Sequence, residues 1–217
     1  MRTRTRLLCL SMLVALTAGA ASPAGAVQVV FGGKLGYSGT DLVGSNDEGI
    51  STRNGAVLGV LMGWEFNRWF ALHFEPDITL KGAELDDLSF GDMPTSLSFT
   101  YVELPLLAKF KYAMPSGSRG GLFGLVGPSL GVKTRATAQY AGTDNNIQDF
   151  VKGVDFGLSL GAGYEIPAAE KGVVSFEVRY VIGLTEVFED DVPRPEVTGD
   201  LKNRALQVSV AWYGDIF

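Results

Sequence analysis

The segment Phe70-Ala-Leu-His-Phe-Glu-Pro-Asp-Ile-Thr-Leu-Lys81 carries the logic of the whole chain. Phe70, Leu72, Phe74, Pro76, Ile78 and Leu80 are apolar, while the intervening Ala71, His73, Glu75, Asp77, Thr79 and Lys81 are mostly polar. Successive side chains of a β-strand point to opposite faces, so this alternation describes one apolar face backed by one charged face. A helix would mix the two sets around its circumference.

The period recurs along the chain. Val154, Phe156, Leu158, Leu160, Ala162, Tyr164 and Ile166 alternate with Asp155, Gly157, Ser159, Gly161, Gly163 and Glu165. Val174, Phe176, Val178, Tyr180, Ile182 and Leu184 are interleaved with Ser175, Glu177, Arg179 and Thr185. Segments 28–37, 54–66, 99–112, 121–133 and 203–217 show it with less contrast, which brings the expectation to eight strands. Most are about ten residues or longer, against about 5–6 for a soluble strand and about 9–11 for a tilted strand that crosses a bilayer.

Composition agrees with this reading. Hydrophobic residues make up 46% of the 217 and charged ones 19%, with 28 Gly. Such a chain has ample apolar surface to bury, which excludes disorder, and its glycine disfavours a helical bundle. Arg2, Arg4 and Arg6, the apolar run Leu7–Ala18 and the small-x-small triplet Ala24-Gly25-Ala26 form a secretory signal. Residues 1–26 are therefore expected to be removed, leaving 27–217 as one domain without cysteine, since Cys9 lies in the signal. Of 18 basic residues three fall in the signal, so 15 face 24 acidic ones and the mature charge is −9. That balance disfavours nucleic acid as a partner.

Long polar links near 38–53, 82–98, 134–152 and 186–202 alternate with short ones near 67–68, 113–120 and 167–171. This is the pattern of an up-and-down antiparallel barrel with long outer loops and short inner turns. A lipocalin-like barrel or a sandwich would place the apolar residues inside instead. Three features favour apolar-out. The apolar faces carry no charge over a membrane-spanning length. The polar faces carry both signs: Lys34, Lys81, Lys109, Lys111, Lys133 and Arg179 against Glu65, Glu75, Asp77, Glu103, Asp155, Glu165 and Glu177. Aromatics gather by the short turns, at Trp64, Phe66, Trp69, Phe70, Tyr112, Tyr164, Trp212, Tyr213 and Phe217, as suits a membrane–water boundary.

The segment Tyr101-Val-Glu-Leu-Pro-Leu-Leu-Ala-Lys-Phe-Lys-Tyr112 resembles a strand of the PorT-like outer-membrane β-barrel family, and GVDFGLSLGAGYE at 153–165 resembles its glycine-rich sixth strand. The resemblance implies an all-β, eight-stranded antiparallel transmembrane barrel, related in architecture to small OmpX- and OmpA-type proteins of the bacterial outer membrane. Little mechanism comes with it.

Two details sit awkwardly with a regular barrel. Pro76, Pro105 and Pro128 fall inside expected strands, where proline cannot donate to the ladder, so bulges or irregular pairing are expected beside them. Leu206, Val208, Val210 and Trp212 share one face and Phe217 falls on the other, which a bulge near Gly214 would repair.

Eight strands enclose a lumen just wide enough for side chains. The inward charges, with His73, are therefore expected to pack as ion pairs, and inward glycines such as Gly59, Gly63, Gly157, Gly161, Gly163 and Gly183 to make room for long Lys and Arg stems. His73 is the single histidine. Asp77 lies roughly 13 Å along the strand, too far for a dyad, and no serine is identifiable as nucleophile. No enzymatic activity, cofactor or metal centre is expected. The acidic clusters Asp47-Glu48, Glu84–Asp87 and Glu189-Asp190-Asp191 read as solvated loop charge that can meet divalent cations at lipopolysaccharide. The expected role is structural or surface-interacting, with outer-membrane lipid and lipopolysaccharide as partners. The alternative is a small porin or a secretion-system transport component.

Overall fold

The computed structural model describes residues 27–44, 50–85, 96–113, 120–140, 143–168, 172–188 and 201–216. The signal segment 1–26, the acidic runs at 47–48, 86–87 and 189–191, and Phe217 lie outside these residues. The strands are β1 Gln28–Val43, β2 Ile50–Asn67, β3 Phe70–Phe74, β4 Asp77–Leu85, β5 Ser96–Glu103, β6 Leu106–Ala113, β7 Gly121–Tyr140, β8 Thr143–Asn146, β9 Val154–Ala168, β10 Gly172–Glu186 and β11 Lys202–Asp215. Strands β3 and β4 are two halves of one stave, as are β6 and β5, and β8 is a short hairpin partner of β7. Eight antiparallel staves result, and pairing of β1 with β11 from Val30↔Asp215 to Val43↔Lys202 closes the ring. Closure leaves no free edge along these staves, so the ladder satisfies the backbone polar groups of the wall.

Of the bulges or irregular pairing expected at the prolines, the second is found at Pro76 and Pro105, where the strands break at 75–76 and 104–105, but no bulge forms. Phe74↔Leu106 and Asp77↔Glu103 belong to one continuous register on either side of Pro76 and Pro105. Across the gaps Val60 N donates to Pro76 O (3.0 Å), Glu75 N to Pro105 O (3.2 Å) and Leu104 N to Leu130 O (2.8 Å). Pro128 stands opposite Leu158 in an unbroken register. A bulge requires an extra residue, whereas proline removes only an N–H and keeps its carbonyl as an acceptor. The register shifts fall elsewhere, at Thr52/Val57, Glu65/Asn67, Thr100/Tyr101 and Ile182/Glu186. Gly214 has no bulge either: its pairing with Phe31 continues the register, and Ile216 extends the outward row that ends in Trp212.

The apolar faces point outward, with Leu35, Leu58, Ile78, Phe156, Phe176 and Val208 all exposed. At the short-turn end Trp69, Tyr112 and Trp212 are exposed, and Phe70 packs between Phe66 (5.6 Å) and Phe110 (5.5 Å). Asn67 forms the tight turn there, its Oδ1 accepting from the N–H groups of Trp69 (3.0 Å) and Phe70 (2.9 Å). Tyr213 departs from the expected aromatic girdle: it is 1% exposed and points into the lumen. At the other end the strands run well past their apolar rows, so much of what reads as polar link, notably 38–43 and 134–140, is strand. Paired strands need no lipid to persist, only a partner for the backbone.

The lumen is layered. Val30, Leu61, Val173, Ala211 and Tyr213 cluster toward the short-turn end, with Leu107, Phe123 and Leu125 beside them. Charged residues fill the middle. At the long-link end an apolar cap gathers Leu42, Leu97, Phe99 and Ala138 from the strands with Val151, Val187, Phe188 and Leu201 from the segments between them. The bridge Val151↔Phe188 and the bonds Lys152 N to Val187 O (2.8 Å) and Val187 N to Leu201 O (2.9 Å) hold that cap over the lumen.

Candidate functional site

Inward parity brings the charged residues of six staves together in the middle of the barrel, where they separate into three groups. The central one is built on Glu75, 1% exposed. Lys34 Nζ donates to Glu75 Oε2 (2.9 Å) and Asp77 Oδ2 (3.1 Å). Arg179 Nη2 donates to the same Glu75 oxygen (2.6 Å), and its Nε to Glu177 Oε1 (2.6 Å). The Thr79 hydroxyl donates to Asp77 Oδ1 (2.7 Å), and His73 Nδ1 lies 3.3 Å from Glu75 Oε1. One carboxylate thus joins β1, β3 and β10 across the barrel.

Toward the cap, Lys81 pairs with Glu103 and with Asp155 (3.3 Å). Asp155 also accepts from Asn203 (2.8 Å) and Thr185 (2.8 Å), and the Lys81 ammonium stands over the Tyr101 ring. Toward the short turns, Lys109 pairs with Glu165 (2.6 Å), donates to the Tyr213 hydroxyl (3.1 Å) and lies 3.8 Å from the centre of the Phe123 ring. Tyr213 in turn donates to Glu165, and Lys111 pairs with Glu65 where solvent begins.

Lys133 stands apart from the three groups. It stays opposite the inward Tyr101, beside the register shift that follows at Thr134, and donates to the carbonyls of Gln148 (2.5 Å) and Val151. Without it the three groups hold five bases, Lys34, Lys81, Lys109, Lys111 and Arg179, against seven acids. The sign balance is therefore less even than the alternation suggests. The space at inward glycines also has other tenants than Lys and Arg stems. A Cβ on Gly63 would stand 2.7 Å from Val30 Cγ2 and 2.9 Å from His73 Cδ2, and one on Gly163 would collide with the Phe123 ring.

Tyr213, Thr79, Thr185 and Asn203 complete the groups; the alternation puts Thr79 and Thr185 on polar faces and the expected girdle takes in Tyr213, but the expected charge network includes none of the four. Tyr213 had a usable signal: it alternates with Trp212 and so takes the inward face. His73 is 1% exposed, edge-on to Tyr213 (5.8 Å), and its Nε2 has no hydrogen-bond partner among the described residues. Among those residues no group of acidic, His or Cys side chains has the arrangement to hold a metal ion. Glu84, the described member of its acidic run, points outward.

A family model described as "Outer membrane protein beta-barrel domain" matches residues 24–189. Among solved structures, the outer membrane protein OprG from Pseudomonas aeruginosa is similar at a TM-score of 0.54 and 12% identity, over 88% of this chain and 97% of that one. Neisserial surface protein A is similar at a TM-score of 0.50 and 16% identity, over 86% and 97%. At these identities the likeness is one of fold. No curated protein matches in sequence.

Proposed function

Because the chain belongs to the outer membrane protein β-barrel domain family, we propose that it is a non-enzymatic barrel, closed to solutes, that acts through the surface at its long-link end. Membership places it in the bacterial outer membrane. An even number of staves returns both ends of the barrel to the short-turn side, which in such barrels faces the periplasm.

One observation carries the reading: the lumen is blocked twice, by unlike means. The Glu75 group spans it with residues at most 8% exposed, and the apolar cap closes it again. A hydrated solute would have to separate buried ion pairs, each worth several kcal/mol when a partner is lost. His73 is sealed between Glu75 and Gly63, and among the described residues no serine hydroxyl is bonded to it. What is left for contact with partners is the polar extension of the strands and the links above them, set against outer-leaflet lipid and lipopolysaccharide.

Purified protein in planar bilayers is expected to show no discrete conductance steps. Steps would replace this reading with the small-porin one. Hydrolysis of lipid A or peptide that is lost in His73→Ala would refute the non-enzymatic role. The narrower PorT-like likeness rests on segments 101–112 and 153–165, and a secretion-associated role would show itself as co-purifying secretion components.

A further inference from the structure

On the outward surface, β10, β11, β1 and β2 lie side by side, and their registers stack side chains in rows. One row holds Tyr180, Leu206, Gly39 and Asn54. The row toward the short turns holds Val178, Val208, Tyr37 and Ala56, and the row toward the long links holds Ile182, Arg204 and Asp41. Gly39 contributes no side chain, so the middle row has a notch beside Leu206, bordered on the Asn54 side by the Thr52 methyl and the Tyr37 ring, which an added Cβ would meet at 3.3 and 3.9 Å. The result is a cavity of about 330 Å³ in the wall, with Leu206 and Val208 at its base and Tyr37 and Tyr180 at its sides. Tyr37 is fixed by donating to Asn54, and the mouth is roofed by Arg204.

Arg204 Nε and Nη2 bind Asp41 in a fork, at 2.9 and 2.6 Å. The pair holds the guanidinium in one orientation, with the Tyr180 hydroxyl engaging it from the side. The Arg204 side chain is 44% exposed and that of Asp41 20%. Lys202 is exposed two residues further along the same face of β11. Lys202 stands opposite Glu186 of β10, which Lys152 holds at 3.3 Å, so among the described residues the rim carries three cations, Arg204, Lys202 and Lys152, against two carboxylates, Asp41 and Glu186, directly above an apolar recess. The height is that of a headgroup: below Arg204 the β11 row is wholly apolar through Leu206, Val208, Val210 and Trp212. The two flanking tyrosines have the amphipathic character of the membrane boundary.

We propose that this notch binds a phosphorylated acyl lipid of the outer leaflet, with an acyl chain lying over Gly39 and its phosphate on Arg204 and Lys202. The fork geometry of arginine and the ammonium of lysine both suit phosphate oxygens. A second copy of the barrel is a poorer occupant, because two convex walls meet along a line and leave a recess unfilled. The site rests on the outer-membrane reading above, since it requires the outward face to meet lipid.

The test uses the full mature chain in detergent micelles, with native mass spectrometry counting retained bis-phosphorylated lipid A or the same lipid stripped of phosphate. The parent is expected to retain the phosphorylated form roughly tenfold better, as one or two charge-assisted hydrogen bonds would give. Lys202→Gln with Arg204→Gln removes that preference. Gly39→Leu fills the notch and lowers retention of both lipids. Gly33→Leu, at an outward glycine whose added Cβ would find its nearest neighbour at 4.0 Å, leaves retention unchanged. Equal retention of the two lipids, or a Gly39→Leu protein that binds like the parent, overturns the site. Heat-modifiable migration on a denaturing gel separates the two readings. A protein that shifts on heating but shows no phosphate preference fails the lipid site alone, and one that does not shift fails the barrel as well.

Discussion

The middle of the lumen and its long-link end are both closed, by opposite chemistries. In the middle, Glu75 is held by Lys34, Arg179 and His73, and each contact has a direction and a length. At the end, Phe99 meets Phe188 edge to face at 6.4 Å among Leu42, Val187 and Leu201, and nothing but shape is required. Buried charges tolerate no loss of a partner, because the one left behind has no water to turn to. A hydrophobic cluster loses stability in proportion to the contacts removed. The belt should therefore fail abruptly and the cap by degrees.

The largest effect is expected at Glu75. Glu75→Ala leaves Lys34 and Arg179 short of a carboxylate and should cost about 3–5 kcal/mol, read from urea unfolding in lipid vesicles by tryptophan fluorescence. Adding Lys34→Met should restore part of that loss. A cost no larger than that of an exposed site would dissolve the distinction between belt and cap. Phe188→Ala comes next, near the lower end of the roughly 3–5 kcal/mol typical of Phe→Ala, because the residue sits at the lumen's end. Its planar-bilayer trace should stay silent, since the belt still blocks the lumen; conductance steps in this variant would make the cap the true seal.

Tyr213→Phe removes a hydroxyl shared by Lys109 and Glu165 and should cost about 1–3 kcal/mol, with the barrel's β-signal in circular dichroism unchanged. The smallest effect belongs to the exposed pair outside the lumen. Asp41→Asn should cost less than about 1 kcal/mol, and high salt should erase the difference. Salt should leave the Glu75 result nearly intact, because ions do not reach a pair this deeply buried.

Alternation in 70–81, 153–166 and 174–184 was enough to read the staves and their faces, because a strand's two-residue period is a local property. It assigned the inward residues of the belt one by one. Lys133 escaped because the segment at 148–151 comes back beside it and offers the carbonyls of Gln148 and Val151, an approach that no local period of its own strand records. The prolines were legible in part: Pro76 and Pro105 do interrupt the ladder, but each costs only one donor, and the partner staves carry the register past it without a bulge. The cap was invisible, since Val151, Val187, Phe188 and Leu201 lie outside the alternating segments and become core only when the chain folds back over the barrel mouth.

The chain's own order of residues determined that there would be staves, which face of each would meet lipid and which charges would be turned inward. Those follow from the period of the strand and from the exclusion of charge from hydrocarbon. Only the tertiary structure decided that Glu75 would answer Lys34 and Arg179, that Tyr213 would leave the girdle for Glu165, and that Gly39 would open a notch beneath Arg204. Each of these joins residues distant in sequence, and ring closure with its exact register is what brings such residues within reach.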